Sequence, residues 1–298
     1  MKKLLFTVFA TVLMLSGCSN EEAATVSPDN TLVALSVSSV SFPAVKTKAT
    51  TSLSGGSIGV FLGSANGYTA INNVQYTYSA GAWTKTSGGD IYLGSSAASV
   101  CAYYPYSASV TNSSSVSLQS QIYTSAADLC YAPYITNLKN SAQNAAFVMS
   151  HAYSRITFTI TRDATYTGTC NITDISLTNS GLKTLATFNI TNGTYTTGTN
   201  GSVSFNPSIS SIASGANTST SVLLVPVTGL TGNIDLAFTI DGASFSTSIP
   251  VSTAGLATLS AGINYKINVT IKYTSLTNNS VSTTDWNTQT AISGGDIK

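Results

Sequence analysis

The sequence predicts an all-β protein built as two β-sandwiches in series, and three observations carry that prediction. Charged residues make up only 8% of the 298-residue chain, about a third of the usual share, while hydrophobic residues reach 43%. Ser, Thr, Asn and Gly fill the difference, and 15 Tyr and 10 Phe stand against 3 Met. Such side chains suit many short strands with polar turns, because β-branched and aromatic residues pack well on a pleated surface. Apolar residues beyond the first 17 recur with period two, and no long stretch keeps the 3.6-residue period of a helix. Finally, the chain is long enough for two ordinary domains, and each half carries several strands and one aromatic-rich edge.

Residues 1–17 open with Lys2 and Lys3 and continue through an apolar run, residues 4–15. That run is short of the roughly 20 residues needed to span a bilayer and fits a secretory signal. It ends Leu15-Ser16-Gly17-Cys18, which resembles the lipobox of bacterial lipoproteins; Cys18 would carry the lipid and become the new N-terminus. Residues 18–48 form a leader. Its polar part, 21–30, reads as a tether, and 31–42 (TLVALSVSSVSF) reads as a strand. There Val33, Leu35 and Val37 alternate, and Val40 and Phe42 resume on the opposite phase, so a bulge is expected at Ser38-Ser39. Pro43 stops the strand, and the linker after it holds Lys46 and Lys48, two sites a trypsin-like protease can enter in a charge-poor chain. A strand with a cutting signal on each side can be removed from its own domain, and removal leaves a vacant place in a sheet.

Residues 49–155 are expected to form the first sandwich. Residues 57–62 start it, 74–80 and 81–84 make a hairpin with Trp83 across the turn from Tyr76 and Tyr78, and 99–106 and 127–134 are aromatic-rich strands. Residues 147–153 place Phe147, Met149, His151 and Tyr153 on one face. The phase then flips to Ile156, Phe158 and Ile160, which marks the domain boundary near 154–155. Residues 156–298 form the second sandwich. Strands are expected at 170–178, 184–190 and 219–227, and a hairpin at 234–251 turns at Asp241-Gly242. The clearest half-buried strand is 262–273. A polar tail, 274–298, keeps Val281, Trp286 and Ile292 as isolated anchors.

Chemistry is sparse. The formal net charge is +1 with no basic block, which excludes a nucleic-acid partner. No metal-ligand spacing, P-loop or dinucleotide fingerprint is present, so no cofactor or metal is expected. His151 is the single histidine, and any nucleophile–histidine mechanism must pass through it; its place in an alternating strand makes it a packing residue, so no catalytic residue is assigned. Asp163, Asp174, Asp235 and Asp241 lie mostly at strand ends and turns, where Asp is common for turn reasons. With Cys18 lipidated, Cys101, Cys130 and Cys170 remain. Cys101 and Cys130 either bridge in an oxidising periplasm or stay as two buried thiols, with two buried thiols favoured. The cluster Tyr103-Tyr104-Pro105-Tyr106 is either a sugar-stacking platform or ordinary sheet packing, with packing favoured.

The lipobox, Lys46-Thr47-Lys48-Ala49 before SIGVF, AYYPY, DLCYA, FVMSHAYSRITFTI, LLVPV and AGINYKINVTI come in one order along the chain. In that order they resemble the Bacteroidetes fimbrillins, the FimA-like and Mfa-like subunits of type V pili. Ser19-Asn20-Glu21-Glu22 after the lipid cysteine is similar to the surface-export signal of that lineage. The resemblance implies two tandem transthyretin-like β-sandwiches and a lipoprotein precursor held in the outer membrane. It also implies cleavage after a basic residue by a trypsin-like protease, and polymerisation by donor-strand exchange with other pilus subunits into a surface fimbria that supports adhesion to a host or bacterial ligand. The donor in the family is usually a C-terminal segment, here 274–298. Two departures stand out: the family's cut follows Arg, where this chain has Lys48, and the tail is polar for a donor. A tail that folds back locally would suit a tip or anchor subunit, although without a third, adhesin-like domain a stalk or generic subunit is preferred. The alternative from another class is a monomeric, lipid-anchored sandwich that binds glycans through exposed Tyr or Trp.

Overall fold

The computed structural model describes residues 31–43, 51–252, 254–273 and 275–286. All regular elements among them are strands. The first sandwich sets a six-stranded sheet against a three-stranded one. The larger sheet runs in the order Ser150–His151, Cys130–Leu138, Ala98–Tyr104, Ser57–Leu62, Ile71–Ser79, Ala82–Ser87. The smaller runs Asn144–Val148, Ser36–Phe42, Thr51–Ser52. Ile58, Val60, Leu62, Val100, Ala102 and Tyr104 face Val37, Val40, Phe42, Ala145 and Phe147 across the core between them. The intervening residues Phe61, Cys101 and Tyr103 point the other way and are buried as well. Both faces of this sheet are therefore covered, which is why residues 57–62 read as a continuous apolar run. Gly59 lies opposite Tyr103, and a Cβ there would collide with the Tyr103 ring. The expected hairpin turns through Ala80 and Gly81, both at positive φ, and pairs Tyr78 with Trp83 at 5.3 Å between ring centroids.

The second sandwich packs a five-stranded sheet on a four-stranded one. The first is ordered Gln121–Ile122, Asn217–Leu224, Ser154–Arg162, Ile263–Ile271, Leu276–Asp285; the second Val203–Phe205, Ile172–Thr178, Asn233–Ile240, Ala243–Pro250. Ser154–Arg162 and Ile263–Ile271 are parallel, with Ile156 beside Tyr265, Phe158 beside Ile267 and Ile160 beside Val269. These even-numbered residues meet Ile175, Leu177, Leu236 and Phe238 from the opposite sheet. A third core joins the sandwiches: Phe61, Cys101 and Tyr103 pack with Val116, Leu118, Phe188, Leu223, Val225 and Trp286. Two short strands ahead of residue 155 take part in the second half's sheets. Val116–Gln119 pairs with Lys183–Asn189, and Gln121–Ile122 with Asn217–Leu224. Leu276–Asp285, in the segment that reads as a polar tail, is a strand paired antiparallel with Ile263–Ile271.

The Asp241-Gly242 turn has positive φ at both residues, as its sequence predicts. It is also a clamp. The Asp241 carboxylate accepts hydrogen bonds from the Tyr166 hydroxyl, the Thr169 hydroxyl and the backbone N–H groups of Cys170 and Asn171, at 2.7 to 2.9 Å. Burial alone would raise its pKa, but those bonds, to Thr169, Asn171, Cys170 and Tyr166, together hold it down at about 2. A folded-state pKa below the unfolded value of about 3.9 gives stability that is full above pH 4 and lost as pH falls toward 2. The carboxylate is largely exposed, so screening keeps that contribution below about 1 kcal/mol. Asp241→Asn is expected to remove this pH-dependent component. Urea unfolding of the two proteins at pH 7, 4 and 2 checks it, and an unchanged difference at all three would count against the clamp.

Candidate functional site

The site is the seat of the N-terminal strand. Ser36–Phe42 is the middle strand of its sheet, parallel to Asn144–Val148 on one side and antiparallel to Thr51–Ser52 on the other. Upstream, Val33–Ala34 pairs with Tyr92–Leu93. The register beside Asn144–Val148 slips by one residue between Val37 and Ser39, so Ser38 is the bulged residue the phase change predicts, and its hydroxyl donates to the Ala145 carbonyl at 2.9 Å. The bulge turns both phases inward. Leu35, Val37, Val40 and Phe42 are only 5%, 4%, 1% and 5% exposed, and Val33 is half-buried. Main-chain bonds fix the strand at both ends: Leu35 N–H to Ile91 O at 2.8 Å, Leu53 N–H to Val40 O at 2.8 Å and Met149 N–H to Ser41 O at 2.7 Å. Four core side chains at about 2 kcal/mol each give on the order of 8 kcal/mol before ordering costs. Cys18, Lys46 and Lys48 lie outside the described residues.

At the downstream end of this seat, the structure gathers residues that sequence spacing does not connect. His151 is 2% exposed, and its Nδ1 lies 2.9 and 3.1 Å from the two oxygens of buried Asp128. The Cys130 thiol approaches the same nitrogen at 3.4 Å. The imidazole lies between two rings: Phe42 at 5.5 Å and 23° on one face, Trp286 at 4.1 Å and 6° on the other. Beyond Trp286, Arg155 sits with its guanidinium 4.0 Å from the Tyr123 ring centroid and 5.5 Å from that of Trp286. His151 is a buried packing residue as expected, but 147–153 is not one alternating strand: Asn144–Val148 and Ser150–His151 lie in different sheets, and His151 packs between Phe42 and Trp286, the residue after the last described strand. That His151 is the single histidine was the one signal the sequence offered, and nothing in it placed Asp128, Phe42 and Trp286 around the ring.

Chemically this knot is a lock. A nucleophile–histidine–carboxylate relay uses both ring nitrogens, one for each partner; here thiol and carboxylate share Nδ1, and Nε2 meets no hydrogen-bond partner among the described residues. Asp128, Cys130 and His151 also offer ligand atoms within 4.8 Å of one another. A metal there would have to break the Asp128–His151 pair and strip a proton from a thiol whose pKa is raised well above normal by burial and by Asp128. Of the two readings of Cys101 and Cys130, the bridge is not formed, and the favoured one, two buried thiols, is what the fold holds. Both are free, buried thiols. Cys130 is opposite Tyr104, on the face of its sheet that Cys101 does not share, so one points into the first core and the other into the junction. Burial pushes the Cys101 thiol up to about 12. Trp83 and Trp286 are buried at 7% and 3% exposure, and Tyr103 and Tyr104 are core residues, which takes these four from any sugar-stacking surface.

The described residues thus form two β-sandwiches in series, and the first takes in Ser36–Phe42 as a middle strand of its smaller sheet. The chain belongs to the fimbrillin-like family, whose sequence profile matches residues 38–286. It is 28% identical over 212 residues to a Bacteroides uniformis protein named for a fimbrium subunit, Fim1C, covering 67% of this chain and 70% of that one. Two crystal structures described as cell adhesion proteins share the fold. One is from Bacteroides uniformis (TM-score 0.62, 23% identity, 86% of this chain and 99% of that chain), the other from Bacteroides ovatus (0.61, 18%, 86% and 98%).

Proposed function

We propose that this chain is a structural subunit of a cell-surface fimbria, activated by removal of its N-terminal strand. It is exported as a lipoprotein, anchored in the outer membrane through Cys18 and cut after Lys46 or Lys48 by a trypsin-like protease that accepts lysine. Residues 31–42 then leave, and a strand from a neighbouring subunit takes their place. The observation that supports this most directly is the position of Ser36–Phe42, a middle strand whose loss would strand the edge of Asn144–Val148 and bare one side of the first core. Unpaired backbone and bare apolar surface are both costly, and an incoming strand restores both. Donation from one subunit to the next is a heterologous contact, which builds an open filament. Leu276–Asp285 is held in its own sheet, so a C-terminal donor would come from residues beyond Trp286. The filament's role would be adhesion.

The test is the intact mass and N-terminal sequence of protein sheared from the cell surface. A chain that starts at Thr47 or Ala49 and runs as an SDS-resistant ladder is the expected result. A lipidated monomer that still begins at Cys18 would replace this function with that of an anchor or a monomeric binding lipoprotein.

A further inference from the structure

We propose that His151 is the recognition point of the vacated groove, and that the strand entering it carries a planar aromatic side chain at the register of Phe42. The inference rests on the strand-removal function above and names the partner it selects. Leu35, Val37 and Val40 sit among aliphatic and aromatic core residues, where any apolar side chain of suitable size can substitute. Phe42 differs because its ring lies on the imidazole at 5.5 Å and 23°. When Phe42 leaves, one face of His151 opens and the other stays on Trp286, whose main-chain N–H is bonded to Gly262 O in the second half of the chain. The Asp128 carboxylate on Nδ1 holds the imidazole plane fixed, so the open face keeps its orientation. At the ring's edge, on Nδ1, lie Asp128 and Cys130, both fully buried, and the opened face must be covered again to keep water from this edge. A flat ring covers it and restores the stack; an aliphatic side chain covers it less completely and has no π-face. The three-ring arrangement Phe42–His151–Trp286 therefore gives the groove a chemical preference at one position.

Residues 287–298, NTQTAISGGDIK, offer only Ala291, Ile292 and Ile297 as apolar groups. The partner favoured by this geometry is accordingly a strand with an aromatic residue, not that segment of a second copy. The experiment uses the full chain with a unique protease site placed at residues 46–48, cleaved and then offered fluorescent synthetic strands. The probes are the 31–42 sequence, the same peptide with Phe42→Trp, Phe42→Leu or Phe42→Ala, and the 287–298 sequence. Varying the peptide leaves the protein's own folding untouched. The Phe and Trp peptides are expected to be captured alike, the Leu peptide roughly tenfold more weakly, and the Ala and 287–298 peptides more weakly still. A Leu peptide within twofold of the native one, or equal capture of 287–298, would overturn the preference while leaving strand exchange standing. Failure of the native peptide itself to enter would overturn both.

Discussion

Val40→Asp is expected to release the N-terminal strand and open the first sandwich while the second stays folded. Val40 is 1% exposed and lies beside Phe147 in the parallel ladder, with its carbonyl held by the Leu53 N–H. A carboxylate there has no cation within its core cluster, and an unpaired buried charge costs several kcal/mol even after relaxation. That is a large fraction of the 5–15 kcal/mol that holds a typical domain together. The strand can escape the penalty by leaving, because it lies near the start of the described chain and is bonded only to short partners. The second core contains no residue from it. Hydrogen exchange read by mass spectrometry should show protection lost over 36–42 and 144–148 and kept over 156–160 and 263–271. Uniform loss would mean that the junction around Phe61, Tyr103 and Phe188 makes the two sandwiches one cooperative unit, and that the strand is not separately removable.

Much of this architecture was legible because period-two alternation is read directly from side chains. The phase change at Ser38, the flip to Ile156, Phe158 and Ile160, and the Asp241-Gly242 turn each translate a local pattern into a local geometry. Leu276–Asp285 was not legible for the same reason. Its apolar residues, Leu276 and Val281, with Trp286 just past its end, recur every five positions, and a register shift lies opposite Asn268 and Val269. A bulged edge strand with few buried residues keeps no period to find. The cysteine pair stays open in the sequence on a different ground: compartment and count say whether bridging is chemically permitted, whereas the face of the sheet decides whether the sulfurs can meet. The His151 knot was out of reach because it is a long-range product of the fold. Its members come from the N-terminal strand, the first sandwich's largest sheet and the residue after the last strand, and only the assembled sheets bring Phe42, Asp128 and Trp286 to one ring.

Trp286→Ala should cost about 3–5 kcal/mol, the range for truncating a large buried aromatic. Its indole stacks on His151, meets Tyr123 edge-on at 6.0 Å and lies within 5.5 Å of the Arg155 guanidinium, so three contacts go at once. The loss has a direction as well as a size. Arg155 is partly buried, burial already lowers its pKa, and without Trp286 it keeps the Tyr123 ring and the nearby Asp128 charge in this cluster. His151, left with Phe42 on one face and a cavity on the other, is then held by Asp128 alone, and its support for the Phe42 ring weakens. The C-terminal strand should therefore loosen, and with it the grip on the N-terminal strand at the opposite end of the sequence. Urea denaturation gives the first quantity, and the rate at which a cleaved 31–42 segment dissociates gives the second. Trp286→Phe, which keeps a ring on His151, is expected to recover more than half of each. Recovery of stability without recovery of strand retention would separate the two ends and leave Trp286 as an anchor of the second sandwich only. Parallel recovery would mean that a single imidazole, held by Asp128, carries mechanical information between the strand that leaves and the segment that follows Trp286.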